Sequence, residues 1–188
     1  MIRSTVFALA TLAASAASAV TIDTNPTWDG SINEGWAGSG QSLTVDMLET
    51  QLDDISFYFA AASAGLTFDF TIADALTGGN VLFNSSFVVT AGINTFLTDL
   101  DLSPGAVVFV LFDYNGFTGE TAHFSFIDGY ADGQSFFEST GWDASYTNLD
   151  HRFIANFSDP SPIPLPAGGV LLIGALGGLA LIRRRKSA

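Results

Sequence analysis

The side chains suited to acid–base or nucleophilic chemistry are few and scattered along this chain. It contains two histidines, His123 and His151, and no cysteine, which excludes a thiol nucleophile, a thiolate metal site and a disulfide. No Gly-x-Ser-x-Gly motif positions a serine, and neither histidine has a recognisable serine partner. A glycosidase needs two facing carboxylates, but among 19 acidic residues a pair such as Glu120 and Glu138 carries no specific signal. We therefore predict that the protein is not an enzyme, with a small hydrolase as the second alternative.

The residues around each histidine support the same interpretation. In the segment AHFSF, residues 122–126, His123 faces away from the two phenylalanines, which is typical of an exposed strand residue. His151 lies between Asp150 and Arg152, a local charge cluster rather than a metal-ligand pattern.

An acidic loop at residues 128–133, with the sequence DGYADG, is the candidate metal site. Calcium takes six to eight oxygen ligands, mainly carboxylates and carbonyls, and Asp128 and Asp132 offer two carboxylates on a glycine-rich loop. The EF-hand pattern fails because Tyr130 and Ser139 occupy positions where that pattern requires other ligands. We expect a solvated loop and no cofactor, with a calcium-dependent module as an alternative.

Aromatic residues suggest a second kind of site. Tryptophan and tyrosine can stack on sugar rings while neighbouring Asp, Asn and Gln bond the hydroxyl groups. Residues 130–146 concentrate such side chains, and two tryptophans lie near the N-terminus. The candidate ligand-binding residues are Trp28, Trp36, Tyr130, Trp142 and Tyr146. The alternative function is thus a carbohydrate-binding module; the competing interpretation is that these rings close one end of the folded domain.

The distribution of charge limits the partners of the central region. All 19 acidic residues lie between Asp23 and Asp159, where Arg152 is the single basic residue, so this region carries a net charge of −18. Nucleic acids and anionic headgroups bind through Lys and Arg, so we predict no nucleic-acid partner. Cations and neutral sugars remain open as ligands.

Hydrophobic patterning predicts an all-β domain over residues 20–158. In LTFDFTI, residues 66–72, apolar and polar side chains alternate as on a strand with one wet face. Residues 107–112, VVFVLF, do not alternate and indicate a central strand covered on both faces. Together with turn signals, about eight short runs predict an antiparallel two-layer β-sandwich with jelly-roll topology. The runs are 42–46, 55–60, 66–72, 81–89, 95–100, 107–112, 122–127 and 152–157.

The N-terminus has the pattern of an export signal. A basic start at Arg3, an apolar stretch at 6–14 and the small residues Ala17-Ser18-Ala19 predict a signal peptide over residues 1–19, cleaved after Ala19. We therefore expect the domain to be exported across the inner membrane.

The C-terminal region, residues 159–188, combines a proline-rich linker, an apolar segment and a basic end. Residues 167–182 are 16 uncharged positions, about 24 Å of helix against a hydrocarbon core of about 30 Å. They predict a short single transmembrane helix with the domain held outside, because the basic cluster that follows stays on the cytoplasmic side. That cluster is Arg183, Arg184, Arg185 and Lys186. The prolines predict an extended and exposed stretch of backbone before this helix.

This tail resembles the VPLPA-type C-terminal sorting signal, a relative of the PEP-CTERM signals of Gram-negative bacteria. The motif is Ile163, Pro164, Leu165, Pro166 and Ala167, with Ile163 where valine is usual. The resemblance covers about the last 27 residues and implies that an exosortase-type protease is a partner that cleaves near the motif. It also implies transient anchoring in the inner membrane, release to the cell surface or medium, and association with extracellular polysaccharide or biofilm matrix. A permanent single-span anchor is the alternative.

These observations predict an exported, non-catalytic surface or matrix protein. The sequence names no ligand and no activity.

Overall fold

A computed structural model describes residues 19–139, 142 and 144–160 of the protein. Within them the chain forms twelve β-strands and two short 3-10 helices, Asn25–Thr27 and Ala61–Ser63. The strands are β1 (Ala19–Asp23), β2 (Gly38–Thr44), β3 (Gln51–Phe59), β4 (Thr67–Ala73), β5 (Val81–Val88), β6 (Gly92–Asp101), β7 (Val107–Asp113), β8 (Phe124–Ser125), β9 (Ser135–Glu138), β10 (Ala144–Tyr146), β11 (Asp150–His151) and β12 (Phe153–Ser158).

The strands form two antiparallel sheets that face each other, together with one small pair. One sheet has the order β1-β12-β3-β6, and the other has the order β10-β9-β2-β7-β4-β5. β8 and β11 pair separately. The predicted all-β class and the antiparallel β-sandwich are therefore confirmed, because the chain repeatedly passes between two layers that share one core.

The predicted runs all overlap observed strands, although 122–127 reduces to the two residues of β8. β7 lies between β2 and β4, as its non-alternating sequence predicted. In β4, Phe68, Phe70 and Ile72 are fully buried, as the alternation of residues 66–72 predicted. Four strands were not predicted: β1, β9, β10 and β11. β1 begins at the predicted cleavage site, β9 and β10 lie in the aromatic segment 130–146, and β11 has only two residues.

The core between the sheets is built mainly from phenylalanine. Phe112 of β7 is fully buried and contacts five other rings, with centroid distances from 4.8 to 6.1 Å. Its partners are Phe57, Phe59, Phe70, Phe87 and Phe96, which come from β3, β4, β5 and β6. Edge-to-face and offset pairs of this kind add to the burial of apolar area. The single ring of Phe112 therefore joins both sheets.

The segment between β7 and β12 adds structure at one end of the sandwich. β9 pairs with β2 on the side opposite β7, and β10 pairs with β9. β8 and β11 lie beside this extension and pair with each other. β9 and β10 thus complete the six-stranded sheet, and together with β8 and β11 they build the surface described below.

Among the residues described, no helix has the length and apolar character needed to cross a bilayer. The predicted signal peptide, except Ala19, and the sorting tail from residue 161 onward lie outside the described residues.

Replacing Phe112 with alanine should lower the free energy of unfolding by about 3–5 kcal/mol, because it removes a buried ring and leaves a cavity between the sheets. Phe126, which is 65% exposed, is the matched control, and Phe126→Ala should cost well under about 1 kcal/mol. Urea unfolding followed by tryptophan fluorescence measures both. Similar losses for the two variants would contradict the central position of Phe112.

Candidate functional site

An aromatic groove lies where the extension meets the loop before β2. We call it the Trp36 groove; its main lining residues are Asn33, Glu34, Trp36, Phe126, Phe137 and Tyr146. Its volume is about 240 Å³, below the 300–1,000 Å³ of sites for drug-sized ligands. The groove therefore has room for about one sugar-sized ring.

The position of each ring in the groove follows from its strand. Phe137 of β9 is buried and forms the floor, with its ring centroid 5.5 Å from Trp36 and 5.6 Å from Tyr146. Tyr146 of β10 and Phe126, just after β8, remain largely exposed at the rim. The exposed parts of these two aromatic rings are available to a ligand.

Polar groups at the groove come from the loop before β2. Asn33 is buried, and its Nδ2 donates to the Tyr114 hydroxyl at 3.2 Å and to Thr121 Oγ1 at 2.9 Å. Its Oδ1 is the one buried side-chain oxygen or nitrogen without a partner in the described part of the chain. A buried acceptor without a donor is costly, but Asn33 is 1% exposed, so a ligand in the groove does not reach this oxygen in this conformation. Glu34 adds an exposed carboxylate.

Trp28, a predicted ligand residue, lies in a different cluster. The Arg152 guanidinium carbon lies 4.1 Å from the Trp28 ring centroid and 3.8 Å from that of Tyr58, so the cation is held between two aromatic faces. Arg152 also donates to Oδ1 of Asn25. His123 lies beside the guanidinium, with its ring stacked 4.7 Å from Trp28 and its Nδ1 3.3 Å from Nη1 of Arg152. The ring of Trp28 is thus occupied by contacts within the protein.

His123 differs from its sequence-based description. It was expected to be an exposed strand residue, but it is half-buried and stacked. Burial, together with the positive charge of Arg152, lowers the pKa of His123 to about 4. The imidazole is therefore neutral at pH 7, and the reason for the difference is that the loop carrying Trp28 folds over this strand.

The remaining candidate residues are dispersed. The Tyr130 hydroxyl is engaged by the backbone of Thr44, from which it accepts at 3.0 Å and to which it donates at 3.2 Å. Trp142 is partly buried and lies beside Gly38 of β2. Asp128 and Asp132 are both exposed. Over residues 19–139, 142 and 144–160, no group of three or more His, Asp or Glu side chains is arranged to hold a metal ion. Of the five predicted aromatic residues, the structure brings together Trp36 and Tyr146.

Sequence reasoning missed a buried polar network around His151. Its Nε2 lies 2.7 Å from Oγ of Ser39, on β2, and its Nδ1 lies 2.9 Å from Oγ of Ser135, on β9. The prediction that His151 belongs to a local charge cluster was therefore wrong, because the structure buries its ring between two serines that the sequence did not reveal. The two serines are 112 and 16 residues away in sequence, so no local motif could have indicated them.

The network joins three strands and the acidic loop. Gln41 Oε1 accepts from Ser135 Oγ at 3.1 Å and from the His151 backbone at 3.0 Å, and its Nε2 donates to Asp150 at 2.8 Å. The other carboxylate oxygen of Asp150 accepts from the backbone of Gly129 and Tyr130, both at 2.8 Å. The network therefore holds β9, β11 and the loop at 128–133 against β2.

Burial makes this Ser-His arrangement a structural one. Ser39, Ser135 and His151 are each 0% exposed, so a substrate has no route to the serine oxygens in this conformation. Burial also lowers the pKa of His151 to about 3 and raises that of Asp150. The imidazole stays neutral and acts as a hydrogen-bonding bridge between two hydroxyl groups.

Comparison with known proteins shows a similarity of fold only. No family model and no curated protein matches the chain. A structure of the clostridial cysteine protease Cwp84 after propeptide cleavage matches with a TM-score of 0.56 at 15% identity, over 76% of this chain and 40% of that chain. A structure of the cysteine protease and lectin-like domains of Cwp84, a surface layer associated protein of Clostridium difficile, gives a TM-score of 0.49 at 14% identity, over 67% and 33%.

A third structure, the Yersinia pseudotuberculosis-derived mitogen, gives a TM-score of 0.30 at 4% identity, over 81% of this chain and 92% of that one. This chain spans less than half of either Cwp84 chain. At 15% identity, the 0.56 match indicates a similar β-sandwich and nothing about activity.

The buried position of His151 predicts a specific dependence on pH. The unfolded chain protonates His151 near pH 6.5, whereas the folded chain resists protonation until about pH 3. Between about pH 6.5 and pH 3, His151 should therefore lower the free energy of unfolding by about 1.4 kcal/mol for each unit by which the pH falls. In NMR titration of the folded protein, the ring signals of His151 should stay unchanged from pH 7.5 to 4.5. A midpoint near 6.5 would contradict the buried bridge.

Proposed function

We propose that this chain is an exported, non-catalytic surface or extracellular-matrix protein that an exosortase-type protease processes at its C-terminal signal. The observation that carries the proposal is the three-part tail, which follows β12 after only a few residues. β12 ends at Ser158 and the motif begins at Ile163. Cleavage near the motif would therefore leave both sheets complete.

The strand order supports a binding or structural role for the exported domain. The orders β1-β12-β3-β6 and β2-β7-β4-β5 are those expected for a jelly roll of eight strands, with β8 to β11 inserted before the last one. Lectin and viral capsid domains use this topology, in which the sheets form a scaffold and the loops carry the contacts. On this assignment the inserted strands are the variable part, and they carry the Trp36 groove.

The charge of the domain fits release from the membrane after processing. Its excess of carboxylates is repelled by anionic lipid headgroups and keeps a lysine-free surface soluble. Before cleavage, the tail would hold the domain at the inner membrane; afterwards the domain would remain at the cell surface or in the medium. Extracellular polysaccharide is the partner we propose for it there.

Intact mass of the protein isolated from the surface or medium of the producing cell tests the processing. The expected mass begins at Val20 and ends between Pro162 and Ala167, because signal peptidase and the sorting protease each remove one end. A mass that extends to Ala188 would mean that the tail is a permanent anchor and would overturn the exosortase assignment. The same protein from cells lacking the exosortase-type protease should retain residues 168–188.

The second candidate function is binding of a neutral carbohydrate in the Trp36 groove. The observation that favours it is the combination of exposed Phe126 and Tyr146 rings with the exposed carboxylate of Glu34 in one groove. Aromatic faces stack on the apolar side of a pyranose, while a carboxylate accepts hydrogen bonds from its hydroxyl groups. No metal ion enters this mode of binding, so it differs from a calcium-dependent module.

Trp36→Ala should weaken binding of a neutral glycan by at least about tenfold, a loss of about 1.4 kcal/mol. The probes are neutral hexose oligosaccharides and the polysaccharide purified from the producing cells, measured by calorimetry with and without EDTA. Trp28→Ala is the matched control, since Trp28 lies in the Arg152 cluster and should leave the affinity unchanged. Equal effects of both variants, or no binding by the wild type, would exclude the groove; loss with EDTA would favour the calcium-dependent alternative.

A further inference from the structure

β5 is an open edge of the six-stranded sheet. It pairs with β4 along one side, and no described strand pairs with its other side. At eight residues it is much longer than β10, the three-residue strand at the opposite edge of the same sheet. Its outer row of backbone N–H and C=O groups is therefore available to another strand.

β5 lacks the features that normally protect such an edge. Its sequence, VLFNSSFV, contains no charged residue and no proline. The one irregularity in its pairing with β4 falls between Ile72 and Ala73, opposite the beginning of β5, so that residues 83–88 continue in regular register. By contrast β6, the edge of the other sheet, contains Asp99 in the left-handed region with φ of 49° and ends at Asp101. Charges and backbone irregularities of that kind discourage pairing.

Apolar side chains collect around this edge. On β5, Val81 and Val88 are 60% and 62% exposed, and across the open side of the sandwich Leu97 of β6 is 79% exposed. A cavity of about 420 Å³ lies between β5 and β6, and half-buried Phe83 and Phe87 line it. The edge therefore combines free backbone groups with apolar area that a partner strand would bury.

The sequence of β5 is self-complementary in the antiparallel sense. If two copies pair about a two-fold axis at Ser85, Phe83 of each copy lies opposite Phe87 of the other, and Asn84 lies opposite Ser86. Leu82 then lies opposite Val88. The aromatic pairs share one face of the joined sheet and the polar pairs share the other, as the pleat requires.

Charge also favours a second copy at this position. Elsewhere two copies would bring acidic surfaces together, because the region from Asp23 to Asp159 carries −18. In a pair of β5 strands no two charged side chains face each other, because β5 contains none. The carboxylate of Asp69, on β4, accepts from Ser86 and would lie three strand spacings, about 14 Å, from its counterpart, beyond the screening length at physiological salt.

We propose that β5 pairs with β5 of a second copy of this chain, in antiparallel register centred on Ser85, to form a dimer with one continuous sheet. Such a dimer would carry two Trp36 grooves on one rigid body. Pairing through β5 requires neither sugar binding nor tail processing.

Cysteine cross-linking in the full 188-residue chain tests the pairing, since the protein has no cysteine of its own. In the proposed register, residue 85 faces itself with Cα atoms about 4.5–5.5 Å apart, within reach of a disulfide. The two copies of residue 86 are about 8 Å apart, beyond that reach. Ser85→Cys should therefore give at least tenfold more covalent dimer than Ser86→Cys under mild oxidation at low micromolar concentration. Both variants carry the same tail, so association through the tail contributes equally.

Equal yields from the two variants, or no dimer from Ser85→Cys, would overturn the proposal. Sedimentation equilibrium gives a second measurement that needs no oxidation. Ser85→Lys places two like charges at the axis of the dimer and should shift the protein to monomer. Ser85 is exposed, so the variant should keep its fold, which its circular dichroism spectrum checks, although loss of the dimer lowers its melting temperature. A monomeric wild type, or an undiminished dimer with Ser85→Lys, would also contradict the pairing.

Discussion

The packing of phenylalanine rings between the two sheets is the interaction on which the rest of this structure depends. The chain has no cysteine, and the described region contains one basic residue, so disulfides are excluded and ion pairs have few partners. Ten phenylalanines are buried in the described region, and Phe112 joins the two layers directly. Because stability comes from apolar burial, the surface is free to carry a large excess of carboxylates.

The candidate site depends on a second, polar interaction. The segment between β7 and β12 forms only short strands, which have few hydrogen bonds of their own. The His151 side chain links this segment to β2, because it bonds both Ser39 and Ser135. Gln41 and Asp150 extend the same network to the loop at 128–133. Fully satisfied polar networks of this kind fix a unique arrangement. The position of Phe137 under the Trp36 groove thus depends on the hydrogen bonds that the side chains of His151 and Gln41 make.

Sugar binding and dimer formation are both proposed at surfaces that carry little charge. An aromatic groove with one carboxylate, that of Glu34, and an uncharged edge strand are the surfaces on which an otherwise acidic domain can make close contacts. If dimers form through β5, each would present two grooves, and multivalent contact strengthens adhesion to a repeating polymer without any new contact in the groove. An extracellular polysaccharide is such a polymer. These properties suit a protein whose tail directs it outside the cell.

The sequence by itself determined the all-β class, the central position of β7 and the buried face of β4, because strand periodicity and turn residues act within a few residues of one another. It also determined the charge of the domain and the resemblance of the tail at Ile163 to Ala167. Only the tertiary structure decided that Trp36 and Tyr146 share a groove while Trp28 encloses Arg152, and that His151 bridges two serines. Those contacts join residues up to 124 positions apart, so their geometry depends on strand order and register, which no local pattern specifies.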